Sequence, residues 1–149
     1  MVKIIGPFQI NTAGNRTTED VVAAGNYSWA SEIVNGVNFP MRPMPEGLRE
    51  IVILEFDHLP TQDQMLRVVS GQDLDFPRHE DALFFGEQYP DEQCNGSIVF
   101  LHEPWKCLGD GSFVLVLQCD SADKKRGLGL TTVGLIGTRN RRFAFVCKS

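Results

Sequence analysis

Apolar and polar positions change rhythm twice along this chain of 149 residues. The sharpest feature of the first half is Arg49–His58, the most strongly apolar and β-branched run there. Leu59-Pro60 stops it and a helix signal follows at once, so it reads as an interior strand feeding a helix. That helix spans 62–70, opened by a capping-box pair, Thr61 and Gln64, with Met65, Leu66, Val68 and Val69 offered to the core. A turn at Gly71–Asp75 leads to Pro77. A second helix follows at about 78–88, with Glu80 and Asp81 in its first turn and Leu83, Phe84 and Phe85 on a broad apolar face. From Ser97 the period becomes strand-like. Ser97–His102, Phe113–Cys119, Leu128–Ile136 and Arg142–Cys147 are four expected strands. They are separated by turn signals at Gly109-Asp110-Gly111, Asp120–Lys125 and Gly137–Asn140.

Before position 48 the pattern is weaker. Lys3–Ile10 alternates, but Gly6-Pro7 restricts it to an edge strand. Thr17 or Thr18 caps a short helix that ends at Gly25-Asn26, and Ser28–Val34 reads as a second helical piece. Three prolines make Asn38–Gly47 an extended linker. The expectation is one domain, 1–149, with an N-terminal helical and extended segment, 1–47, on an α+β core, 48–149. The core is a mostly antiparallel sheet ending in a four-strand meander, with helices on one side.

Composition supports a globular chain and changes little else: 42% hydrophobic, 22% charged, and no run near the roughly 20 apolar residues of a membrane span. The N-terminus lacks a signal-peptide pattern, which gives cytoplasmic residence as the expectation. Cys94, Cys107, Cys119 and Cys147 form no C-x-x-C pair and are expected reduced. Charge is uneven. Residues 124–149 hold seven bases and no acid; the other seven bases against all nineteen acids leave 1–123 at −12. Such a basic end suits an acidic partner or simply one exposed edge of an acidic body.

Candidate chemistry is sparse. Asp57 and His58 leave one expected strand and His102 and Glu103 leave another; if those ends meet, the four form a His/carboxylate metal or acid–base cluster. Trp105 follows directly and offers a ring for stacking. Arg139 and Arg141 offer charge for phosphate contacts, without the interleaved aromatics of a sequence reader. The acids that open the second helix are accounted for by the helix dipole. No cofactor motif is present, since Gly127-Leu128-Gly129 lacks the spacing of a phosphate loop.

The chain resembles a diffuse group of bacterial proteins of similar length, common in environmental and mobile-gene sequence. The resemblance lies in Gly25-Asn26-Tyr27 with Trp29, Asn38-Phe39-Pro40, Glu80-Asp81-Ala82-Leu83, Gly86-Glu87-Gln88-Tyr89-Pro90-Asp91, Ile98-Val99, Trp105, Arg126-Gly127-Leu128 and Arg142-Phe143-Ala144-Phe145-Val146. It brings no activity. Two helices before a meander ending in Phe-Ala-Phe-Val also look like the C-type-lectin-like fold, which implies binding. Thr132 and Gly137 stand where that group tends to carry tryptophans, and Trp105 replaces the amide expected after Glu103-Pro104, so neither calcium nor sugar is expected. The functional expectation is a non-catalytic module for a protein or small-molecule ligand, from a mobile element. The alternatives are a metal-assisted hydrolase on the His/carboxylate cluster and a weak nucleic-acid binder through the basic end. Strong nucleic-acid binding is not expected.

Overall fold

The alternation inside each central strand dictates a sheet buried on both faces. In β3 (Leu48–Phe56), Ile51 and Ile53 enter one core while Val52, Leu54 and Phe56 enter another. The same division holds in β5 (Ile98–Phe100), β7 (Ser112–Cys119) and β9 (Arg142–Cys147). A strand apolar on both sides needs cover on both sides. The computed structural model supplies it; it describes residues 2–44, 48–107, 111–133 and 140–148. Helices α1 (Thr18–Ala24) and α3 (His79–Gln88) pack on the first face, and α2 (Gln62–Gly71) packs on the second. The expectation of helices on one side is therefore corrected: Met65 and Val69 of α2 belong to a different core from Leu83, Phe84 and Phe85 of α3.

Among the described residues nine strands form one sheet in the order β1-β3-β9-β5-β7-β8-β2. Here β1 is Val2–Asn11, β8 is Arg126–Thr132 and β2 is only Trp29–Ala30. Two short strands, β4 (Leu74–Asp75) and β6 (Trp105–Lys106), pair with β9 and β7. The class is α+β, but the sheet is mixed: β5 lies parallel to β9 and β2 parallel to β8. The four-strand meander is also corrected. Strands β5, β7 and β8 follow one another antiparallel, but β9 leaves them and inserts between β3 and β5. Phe143 and Phe145 fill one core, Ala144 and Val146 the other, and a place at the far edge would leave these side chains in water. Each buried Phe adds about 2 kcal/mol.

Local signals explain the helix starts. Thr17 and Thr61 accept the Asp20 and Gln64 amides at 3.0 and 3.1 Å, closing two capping boxes. The expected helix at Ser28–Val34 is instead the edge strand β2 and turns. The Ser28 and Ser31 amides donate to Arg126 O and Leu128 O, and the Trp29 ring lies against Gly127 and Gly129 of β8. Glycine permits this: a Cβ on Gly127 would stand 2.1 Å from the ring. Along β1 the register shifts between Ile5 and Phe8, where Gly6-Pro7 breaks the pairing. The expected turns at Gly109-Asp110 and Gly137–Arg139 lie outside the described residues.

The cysteines divide. Cys94 and Cys119 form a disulfide with Cα atoms 4.9 Å apart, tying the 3-10 turn Glu92–Asn95 to the end of β7. Cys107 is an exposed free thiol and Cys147 a half-buried one. The expectation of four reduced thiols is corrected by this pair, which chain separation of 25 residues concealed.

Candidate functional site

The second face of the sheet is longer than the helix that covers it. Helix α2 spans ten residues, and seven strands follow one another across the main path of the sheet. Beside α2 a groove of about 620 Å³ opens. Val114 of β7 and Met65 of α2 form its floor, both at most 2% exposed. Leu101, Pro104 and Val133 complete its apolar lining. Leu66 and Phe76 stand at its mouth with 37% and 50% of their surface in water. Water around such side chains is costly, at about 25 cal/mol per Å² of apolar area. Phe76 is held in place by an edge-to-face contact with Phe145, centroids 5.8 Å apart. The polar lining is Gln62, Glu103 and the edge of His102.

His102 shapes the groove without being free to act in it. Its Nδ1–H donates to Glu103 O at 2.7 Å, and its Nε2 accepts the Leu115 amide at 2.9 Å. These two partners fix the neutral tautomer and the ring plane. Burial depresses its pKa to about 4, and the fields of His79 and Arg42 act in the same direction. The ring thus latches the segment 101–104 onto β7 and makes it the ridge between two hollows.

The second hollow, about 390 Å³, lies across that ridge. Phe39 is its centre: its ring stands 5.5, 5.9 and 6.1 Å from those of His79, Trp105 and His102. Beneath it Glu80 is fully buried and takes both Nε and Nη2 of Arg42 at 2.8 Å, with the Arg42 amide at 3.0 Å. Asp81, also fully buried, takes Arg49 Nε and Nη2 at 2.7 and 2.8 Å, and the Arg78 amide at 2.8 Å. Bidentate pairs of this kind satisfy buried carboxylates. They bolt the extended segment 40–44 and the start of β3 to α3. His79 completes the network, donating Nε2–H to Pro40 O at 2.7 Å, and burial lowers its pKa. The dipole therefore explains only part of Glu80 and Asp81. A sequence signal existed in Arg42 and Arg49, but pairing over 38 and 32 residues needs the fold.

The sequence-derived candidates do not converge. Because β3 runs antiparallel to β9 and β5 runs parallel to it, the ends of β3 and β5 lie at opposite ends of the sheet. Asp57 and His58 leave one end, His102 and Glu103 the other. His58 is exposed and bonds Asp57 at 2.7 Å and Gln64 at 3.2 Å; both contacts raise its pKa, and the bond from His58 holds that of Asp57 down at about 2. Both nitrogens of His102 have backbone partners. Among the described residues no group of three His, Cys, Asp or Glu side chains could hold a metal ion. The four expected ligands are therefore not brought together. Trp105 lies in β6 and packs on Phe39 and Phe113, half-buried at the second hollow. Arg141 is exposed at the opposite end, beside Glu55 and Arg142. Arg139 lies outside the described residues.

The basic end is less basic at the surface than in sequence. Arg142 is 5% exposed and pairs with Glu55 at 3.2 Å and Glu92 at 2.8 Å. Arg126 lies 4.7 Å over the Tyr27 ring and donates to Gly25 O, Gly86 O and Gln93 Oε1. Both are structural cations that clamp loops to the sheet. Strands β8 and β9 run in the same direction, separated by β7 and β5, so these two arginines sit at one end of the sheet rather than flanking a hairpin.

No family model matches the chain, and no curated protein or solved structure matches it. The functional reading rests on the groove. Among the described residues, no helix is long and apolar enough to cross a membrane.

Proposed function

We propose that the chain is a non-catalytic binding module that holds a small apolar ligand in the groove beside α2. The observation that carries the reading is the pair Leu66 and Phe76, left in water at the mouth of a hollow floored by Val114 and Met65. At about 620 Å³ the groove falls within the range of small-molecule sites, about 300–1,000 Å³. An apolar occupant would take Leu66 and Phe76 out of water, and the flexible Met65 thioether adapts to its shape. The ordered ridge 101–104 supports a preformed site, since His102 anchors it at both ring nitrogens. The disulfide favours an oxidising compartment over the cytoplasm expected from the sequence.

The test is titration with N-phenyl-1-naphthylamine, a neutral probe that brightens in apolar sites. Saturable one-to-one binding is expected, weakened about tenfold in Leu66→Ser/Phe76→Ser. Two large side chains at about 1 kcal/mol or less each, for half-exposed positions, give that order. Absence of binding, or binding equal in the variant, would overturn the reading.

A further inference from the structure

We infer that the groove selects aliphatic ammonium ligands over neutral or anionic ones of the same length. The inference rests on the groove being the ligand site, and it adds the charge of the occupant. Glu103 is the charged side chain among the described residues that line the groove, and no described lysine or arginine lines it. It is exposed, and its carboxylate makes no hydrogen bond or ion pair with a described residue. Its backbone oxygen accepts from His102 Nδ1–H, which holds its main chain beside the groove. Glu103 also borders the second hollow, whose lining includes Arg42 and Lys106, and its charge acts on Arg42. That guanidinium lines the other hollow, across the ridge, and is already bidentate with Glu80.

A primary ammonium at the rim would meet the Glu103 carboxylate and the Gln62 amide oxygen while its alkyl tail lies over Met65, Leu66 and Val114. The exposed face of Phe76 adds cation–π attraction at the same mouth. A carboxylate at the rim would face Glu103 with no lysine or arginine among the described groove-lining residues to offset it. The groove thus pairs an apolar bed with one negative group at its edge, which is the complement of an alkylammonium ion.

The experiment compares hexylammonium, 1-hexanol and hexanoate by calorimetry on the full chain at pH 7 in 150 mM salt. Hexylammonium is expected to bind about two- to fivefold tighter than 1-hexanol, the range of an exposed ion pair. Hexanoate is expected to bind weakest. In Glu103→Gln the ratio of hexylammonium to 1-hexanol affinity is expected to fall to about one. Equal binding of hexylammonium and 1-hexanol, or tighter binding of hexanoate, overturns the charge selection and leaves the groove standing. Failure of all three to bind overturns the groove reading itself.

Discussion

Acidification from pH 7.5 to 4.5 is expected to remove a defined block of stability held by His102. The ring is 4% exposed, with Glu103 O on Nδ1 and the Leu115 amide on Nε2. A second ring proton would point at the Leu115 N–H and find no acceptor. Burial is the largest cause of depression, and it takes the imidazole from its usual 6.5 to about 4. The folded value lies below the unfolded one, so on acidification the unfolded chain takes up the proton first. Stability from this ring is whole above about pH 6.5 and is lost as pH falls toward 4. At about 1.4 kcal/mol per pH unit the full window is worth about 3 kcal/mol, of which most is gone by pH 4.5. His79, also depressed by burial, acts with the same sign. His58 has the opposite sign: its raised pKa favours the folded state at low pH, but its ring is exposed. Urea denaturation of the parent and of His102→Gln at four pH values between 7.5 and 4.5 isolates the contribution. The variant is expected to be less stable at pH 7.5, with the gap closing by about 2–3 kcal/mol at pH 4.5. A gap that does not change with pH, or an NMR titration placing His102 near 6.5, refutes the reasoning.

Further outcomes follow from buried groups elsewhere. Val116→Asp is expected to cost several kcal/mol, because the site is 1% exposed and the carboxylate would find no partner in that core; chemical denaturation measures it. Arg49→Ala strands the fully buried Asp81 carboxylate and is expected to cost about 3–5 kcal/mol, with Arg49→Ala/Asp81→Asn recovering part of the loss. In Gly86→Ala the new Cβ would lie 1.8 Å from the Tyr27 hydroxyl, a collision expected to cost about 1–3 kcal/mol. Tyr27→Phe should relieve it in part, since that hydroxyl is buried without a hydrogen bond. Thiol titration of the denatured, unreduced chain is expected to count two, and four after reduction.

Short-range features were legible in the sequence. The capping pair Thr61/Gln64, the two long helices and the apolar runs of β3, β7 and β9 stand where local chemistry puts them. Ile51, Ile53, Val114, Val116 and Phe145 are all at most 1% exposed, as their runs imply. What the sequence did not reveal depends on distant partners. Strand β9 carries the signature of a central strand in its unbroken Phe-Ala-Phe-Val, yet turn signals before it suggested a neighbouring hairpin. Trp29, Ile33 and Val37 share helical spacing, but Ile33 and Val37 are exposed and Trp29 serves as cover for β8. Charge was the least readable property. Arg126, Arg142, Glu80 and Asp81 look like surface residues in a list, and each becomes structural through a partner at least 32 residues away. The groove was invisible because its lining comes from α2, the residues after β4, the ridge 101–104 and the ends of β7 and β8.

Placement of a bound probe tests the central claim most directly. In an NMR experiment with 1-hexanol and methyl-labelled protein, intermolecular NOEs are expected from the alkyl chain to the methyl groups of Met65, Leu66, Leu101 and Val114. NOEs to residues away from α2 and β7, or a saturated sample with none to these four, would contradict the assignment of this groove as the binding site.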